Sequence, residues 1–327
     1  MQQEPGSLNI RRALVTGGAG FVGFGVVAAL ARRGVAVRVL DPGAPHPDWP
    51  AGVEHVQGDV RERRVVRDAV RGVDVVFHVA GLWDASRNGD SNMESLNVGG
   101  TRVVVESGAP VVYTSSSITC GYGSWDRPGG EDDPSEDPQA PIRGTGRMYR
   151  LTKLAAEEIV GEADGWIANP DYVVGPGDVK YTVTGPLLAA ARLPVIPAPG
   201  GGKCFVGVHD VGEGHLGVFA RGRPGRRYLL GAENRRYRDV LAVLARLLGR
   251  HPRVLNLPDA VPRALASLRP LRPLAGPLEQ MSLERYRDSG RARSELGWSP
   301  RPVDEALEAL VAWSRTHPSP RRSPLPV

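Results

Sequence analysis

Tyr149 and Lys153 stand four residues apart in the run Tyr149-Arg150-Leu151-Thr152-Lys153. On a helix that spacing puts a phenol and an ammonium about one turn apart on one face. The pair can then move a proton: a nearby ammonium favours the phenolate and lowers a tyrosine pKa from about 10 toward neutral pH, which makes the phenol an acid/base group. Composition singles out the lysine. The chain carries 41 Lys and Arg together, yet Lys153, Lys180 and Lys203 are its only lysines. Either cation serves as a solvated surface charge, so a lysine kept in an arginine-rich chain marks a place where a compact ammonium does what a planar guanidinium cannot.

A phosphate cradle is the second candidate. Arg12-Ala13-Leu14-Val15-Thr16 reads as a short apolar strand, followed by Gly17-Gly18-Ala19-Gly20-Phe21-Val22-Gly23 and by an apolar helix from Phe24 to Arg33. Gly17 permits a tight turn, Gly20 lets backbone approach a pyrophosphate, and Gly23 lets the helix pack closely on its strand, so that phosphates meet the helix N-terminus. A second strand, Val35 to Leu40, ends in Asp41, where a carboxylate accepts from an adenosine ribose and repels a 2′-phosphate. NAD is therefore expected over NADP; the plainer reading of Asp41 is a turn residue before Pro42. To position these groups, strands and helices must alternate, and they do so to about Gly175, the pattern of a doubly wound parallel sheet in an α/β fold.

Further motifs follow in order: Gly58-Asp59-Val60, His78-Val79-Ala80-Gly81, Asn97-Val98-Gly99-Gly100-Thr101, Val112-Tyr113-Thr114-Ser115-Ser116-Ser117, then the Tyr149/Lys153 pair, then Asn169-Pro170 with Gly175-Pro176-Gly177. With the glycine turn, this series resembles the extended short-chain dehydrogenase/reductases of the NAD-dependent epimerase/dehydratase type, from about Arg11 to His317. The resemblance implies a Rossmann domain over residues 8–175 and a smaller substrate-binding lobe over 176–315, some of whose segments return to the Rossmann domain. It implies that Gly17, Gly20, Phe21, Val22, Gly23, Asp41, Asp59, Val60, Ala80, Gly81, Asn97, Tyr149, Lys153 and Asn169 serve cofactor binding, with Asp59 at the adenine and Asn97 steadying the neighbouring strand. The catalytic set is Ser116, Tyr149 and Lys153. Relatives place the active hydroxyl third after an aromatic residue, and counting from Tyr113 gives Ser116; strand alternation turns Ser115 and Ser117 to the other face. In the implied mechanism Tyr149, its pKa lowered by Lys153 and by the nicotinamide charge, takes the proton of a substrate hydroxyl as hydride leaves the same carbon, or returns it in reverse. Ser116 binds the oxygen where charge develops.

Composition excludes other classes. The net charge of +5 and the run Arg221-Gly222-Arg223-Pro224-Gly225-Arg226-Arg227 raise a nucleic-acid reading, but the arginines are scattered among acids, with no interleaved aromatics and no binding motif. An anionic substrate such as a nucleotide sugar is a better use for some of them. Cys120 and Cys204 are too few for a disulfide framework or a zinc site, which points to a reducing cytoplasm. Neither the polar segment Met1–Asn9 nor any apolar run suits a signal core or a membrane span. His209, Asp210 and His215 read as a strand entering a helix rather than a metal site. Gly200-Gly201-Gly202-Lys203 lacks the Ser or Thr of a phosphate loop and reads as a hairpin or loop.

Ser116-Ser117-Ile118 stands where dehydratases of the superfamily carry Thr-Asp-Glu, so dehydration is not expected. The stretch Asn169 to Lys180, with Thr182, Thr184 and Gly185, is most similar to the branch of hopanoid-associated sugar epimerases and dihydroflavonol reductases. Two activities follow, an epimerase acting on a sugar or nucleotide sugar and a ketone or alcohol oxidoreductase, beside a non-catalytic NAD-binding protein. The partner is a small-molecule substrate. The segments Thr101–Tyr113 and Lys153–Asn169 are shorter than in typical relatives, trimming two helices that commonly form a dimer, so a monomer or a dimer through another surface is expected. Residues 318–327, rich in Pro, Ser and Arg, read as a disordered tail.

Overall fold

The computed structural model describes residues 10–84, 86, 89–136, 144–258, 260–261 and 278–318; residues 319–327, most of the expected tail, lie outside them. Parallel strands of almost wholly buried apolar residues need helices on both faces, and the chain supplies them in alternation. Strands β1 (Arg12–Thr16), β2 (Ala36–Asp41), β3 (Glu54–Gln57), β4 (Val75–His78), β5 (Val111–Thr114), β6 (Trp166–Pro170) and β10 (Arg227–Leu230) form one seven-stranded sheet in the order β10-β6-β5-β4-β1-β2-β3. Every pairing in it is parallel. The order reverses beside β1, and this switch point opens a crevice at the carboxyl ends of the strands.

One face of the sheet is covered by α1 (Phe21–Arg32) and α7 (Val208–Arg221), which share a core with Phe24, Val27, Val208, Val211 and Leu216. The other face packs on α2 (Arg63–Ala69), α4 (Thr101–Val105) and α5 (Gly144–Glu162), through residues such as Val66, Val104, Ala156 and Val160. The helix entering α4 begins at α3 (Gly89–Met93) and widens to π geometry over Glu94–Gly100. Such widened turns recur at functional sites, and this one carries Asn97.

The second lobe has its own core around Leu188, Ile196, Phe205, Leu241, Leu244 and Leu307. In it β9 (Gly202–Gly207) pairs with β7 (Tyr172–Val174), β11 (Glu233–Arg236) and β13 (Glu284–Arg285), while β8 (Val195–Pro199) pairs with β12 (Arg253–Leu257). Helix α8 spans Tyr237–Leu247, and the last helix spans Val303–Thr316. Gly200–Lys203 is not a β-hairpin: β8 and β9 do not pair with each other, and Gly202 and Lys203 already belong to β9. No helix among the described residues is long and apolar enough to cross a membrane.

Candidate active site

A cleft of about 870 Å³ runs over the carboxyl ends of the parallel strands. Its floor at one end is the glycine turn. Gly17 adopts φ +69°, and a Cβ on Gly23 would lie 2.2 Å from the Gly17 carbonyl oxygen, so the turn and the first turn of α1 can close only without side chains there. The N-cap Gly20 contributes no side-chain cap and the first turn of α1 holds no acid, leaving the amide donors of a helix N-terminus open to an anion. Asp41 ends β2 beside this turn, its carboxylate oxygens accepting from Ala19 N at 3.1 Å and Gly43 N at 2.8 Å. It is thus a turn residue and a cleft residue at once, with lone pairs left for a diol. Asp59 and Val60 line the same end, and Arg61 grips Asp59 and holds its carboxyl below the usual range. This donor set fits a dinucleotide.

At the other end Ser116, Tyr149 and Lys153 line one wall together. Ser116 follows β5 and caps a short 3-10 turn, Ser117–Thr119, while Tyr149 and Lys153 come from one face of α5. The Ser116 hydroxyl accepts from Ile118 N at 3.4 Å and favours the ionised form of the Tyr149 phenol. Ser115 and Ser117 are buried, and the Ser115 hydroxyl finds no partner. Lys153 is only 3% exposed; its Nζ donates to the Thr114 carbonyl at 2.9 Å and lies 5.8 Å from the centre of the Tyr149 ring. A Cβ on Gly81 would come within 2.9 Å of that Nζ, which explains the glycine in the His-Val-Ala-Gly run.

The expected lowering of the Tyr149 pKa does not arise from the protein alone. Burial pushes the phenol up to about 12 against the opposing hydrogen bond from Ser116, and burial draws Lys153 down to about 8 while Glu157 opposes. Desolvation outweighs an ammonium whose hydrogen bond goes to a carbonyl and whose charge is partly offset by Glu157. At neutral pH the Tyr149 phenol is therefore protonated.

Two residues of the expected cofactor set, Asn97 and Asn169, stand behind the cleft wall. Asn97 Oδ1 accepts from Leu82 N at 2.7 Å, and its Nδ2 donates to Leu82 O and to Thr152 Oγ1, tying the segment after β4 to α5. Asn169 is fully buried, its Nδ2 facing the Ser116 carbonyl, Thr119 Oγ1 and Glu157 Oε1. Both amides lie on interior faces and hold neighbouring segments together. His78 completes the bracing. Thr101 Oγ1 donates to Asn97 O and so accepts from His78 Nε2, which leaves Nδ1 to accept from Thr16. The ring is neutral, and burial draws its pKa down to about 3.

Sequence reasoning missed Lys203 and Asp171. All three lysines line this cleft, so scarcity marks Lys180 and Lys203 as well as Lys153. Asp171 follows Pro170 at the end of β6, and its fully buried carboxylate lies 3.6 Å from Lys203 Nζ and 3.6 Å from Arg287 Nε. Leu82, Trp83, Leu96, Val173, Val179 and Val183 supply apolar walls, whereas no arginine among the described residues lines the cleft. The Arg223–Arg227 segment borders a separate groove with Glu157, Glu158 and Arg291. His209 and His215 belong to α7 and no metal-binding group occurs among the described residues; His215 packs between Thr114 and Val211 O instead. Burial raises both cysteine thiols, Cys120 to about 12, so neither is a nucleophile.

Comparison with known proteins places this geometry. The NAD dependent epimerase/dehydratase family matches over residues 13–231. The chain is 32% identical to sterol demethylase protein B of Methylococcus capsulatus, over 92% of its own length and 98% of the relative's. It is 30% identical to a 4-hydroxy-2-methyl-3-oxo-4-farnesyl-3,4-dihydroquinoline-1-oxide ketoreductase of Stigmatella aurantiaca, covering 91% and 95% of the two chains. The crystal structure of gox2253 superposes with a TM-score of 0.76 at 30% identity, covering 94% of this chain and 99% of that one.

Proposed function

We propose that this chain, which belongs to the NAD dependent epimerase/dehydratase family, is a nicotinamide-dependent oxidoreductase that interconverts a ketone and a secondary alcohol on a small molecule with a largely apolar body. The observation that carries the reading is the meeting of Ser116, Tyr149 and Lys153 on one wall of a cleft that continues to the glycine turn. The glycine turn, the N-terminus of α1, Asp41 and Asp59 would hold the dinucleotide, and when bound it supplies a hydride acceptor or donor. The chain's own residues handle the proton. Ser116 Oγ hydrogen-bonds the substrate oxygen where charge gathers, and Tyr149 Oη gives that oxygen its proton in reduction or takes it in oxidation. A phenol held near pKa 12 favours the donating role at neutral pH. Lys153 fixes the Thr114 carbonyl at the end of β5 and keeps an ammonium near the phenol.

Epimerisation of a nucleotide sugar would use the same three residues. It would also need a second site for a diphosphate, and the apolar walls, with no arginine among the described residues, favour a ketone or alcohol instead. The ketoreductase name of the Stigmatella relative is in line with this. NAD is favoured by Asp41, and a monomer or a dimer not built on α3–α4 and α5 remains our reading of assembly, checked by light scattering. The test of function is a panel of bulky ketones with NADH and NADPH, followed at the nicotinamide absorbance. Net oxidation that requires Tyr149 supports the proposal; NAD retained through purification, with isomerisation of a nucleotide sugar and no net redox turnover, overturns it in favour of epimerisation.

A further inference from the structure

Lys153 is a buried ammonium with no counter-ion in contact. Its Nζ donates to the Thr114 carbonyl, and no carboxylate among the described residues forms an ion pair with it. A buried charge left so is costly. The acid whose charge bears on it is Glu157, four residues on in α5 and so about one turn further along the same face. Glu157 is itself buried, and donors from three elements hold it in place. Its Oε1 accepts from Thr119 Oγ1 at 2.7 Å, in the turn after β5, and from Asn169 Nδ2 at 2.8 Å, in β6; its Oε2 accepts from Arg227 Nε at 2.7 Å, in β10. With both oxygens facing donors, neither carries a proton. The same partners hold the catalytic serine: the Ser116 carbonyl accepts from Thr119 N at 3.1 Å and lies 3.3 Å from Asn169 Nδ2.

We propose that Glu157 is a positioning residue of the active site, which keeps the Lys153 ammonium charged from one turn away and ties the Ser116 turn to the helix that carries Tyr149. A carboxylate in direct contact would draw the ammonium into a closed pair and away from the phenol. One anchored by Thr119, Asn169 and Arg227 compensates the charge without moving it. Burial draws Lys153 down to about 8, and Glu157 is what opposes. Other groups around Lys153 supply no negative charge. His78 from β4 is neutral, and Tyr149 and Tyr113, whose ring centre is 4.8 Å from Nζ, are phenols that burial keeps protonated. Asp90, Glu94 and Arg102, on the helical segments packed against α5, are exposed. On the far side of Glu157, Cys120 stays a thiol and Glu131 is occupied by Leu229 N and Arg291, so Arg227 is the group that offsets part of the Glu157 charge.

This inference rests on the oxidoreductase reading for what the charge is used for, and one experiment separates the two. The chain has only three lysines, so protein labelled with 13C at lysine Cε gives three signals to titrate by NMR, assigned with Lys180→Arg and Lys203→Arg. Glu157→Gln is expected to lower the Lys153 midpoint by about one pH unit. Arg227→Gln leaves the carboxylate less neutralised and is expected to raise it, whereas lost packing alone would not give opposite signs. In ketone reduction with NADH, the fall of kcat at alkaline pH should move to lower pH in Glu157→Gln along with the midpoint, with dinucleotide affinity unchanged. Melting curves are run on both variants; should Glu157→Gln not fold, Arg227→Gln carries the test, because its side chain is 32% exposed. A midpoint unmoved in the folded variants, one that moves the same way in both, or an alkaline limb that ignores a moved midpoint overturns the assignment even if ketones are reduced. Midpoints that part as expected, with no ketone reduced, leave the electrostatic role of Glu157 standing and overturn the oxidoreductase reading.

Discussion

The glycine-turn end of the cleft and the Asp171–Lys203 end are built on opposite plans. At the first, each functional group sits at or just after the carboxyl end of a parallel strand: Gly17 after β1, Asp41 at the end of β2, Ala80 and Gly81 after β4. Every one is carried by a strand end or the turn that follows it, residues adjacent in sequence. At the second, Asp171 comes from the end of β6, Lys203 from β9 and Arg287 from just beyond β13, and β9 is paired with strands parallel and antiparallel to it. Repeated local units place groups by register alone, whereas the lobe places them by long-range contacts that no short motif encodes. The first end should therefore be intolerant at single named positions, and the second should respond mainly in what it selects.

The largest expected effect is at the shared wall. Tyr149→Phe should lower turnover about 10³-fold, within the range for removing an acid/base group, with dinucleotide affinity unchanged by titration; a variant within tenfold of the wild-type rate would remove Tyr149 from the mechanism. Next, Gly23→Ala drives a Cβ to 2.2 Å from the Gly17 carbonyl oxygen and should cost about 3 kcal/mol or more. Gly249 in the second lobe has open space and φ +71°, so Gly249→Ala should cost only about 1 kcal/mol. Equal urea midpoints for the two would erase the contrast in tolerance.

Acid should act first on the parallel sheet. Burial holds His78 down to about 3 and His215 down to about 4, both below the 6.5 of an unfolded chain. The neutral rings therefore stabilise the fold above pH 6.5, and that contribution is lost as pH falls toward 4 and 3. At pH 5 each should cost about 2 kcal/mol relative to pH 7, seen as a drop in the urea midpoint that His215→Gln reduces. A midpoint flat from pH 7 to 5 would contradict it. The smallest effect is at Asp41. NAD should bind better than NADP, and Asp41→Ala should narrow the ratio by about tenfold, a hydrogen bond's worth of free energy; tighter NADP binding by the unaltered protein would sink the assignment.

Sequence alone determined the strand–glycine–helix start, the alternation that makes a doubly wound sheet, and the Tyr149/Lys153 pair, because each depends on residues within a few positions of one another. Spacing alone did not separate Ser116 from Ser115, which lines the same cleft just beyond the end of β5. Tertiary structure decided the rest. It set Asn97 and Asn169 behind the wall, each amide tied to two other segments, and burial rather than the neighbouring ammonium fixed the direction of the Tyr149 shift. Only folding brought Lys203 to Asp171 and Arg287, because the pairing of β9 with β7 and β13 joins positions separated by more than a whole helix. A lysine count could point to Lys203, but its partners, and hence what it could bind, are set by contacts between segments that sequence spacing does not specify.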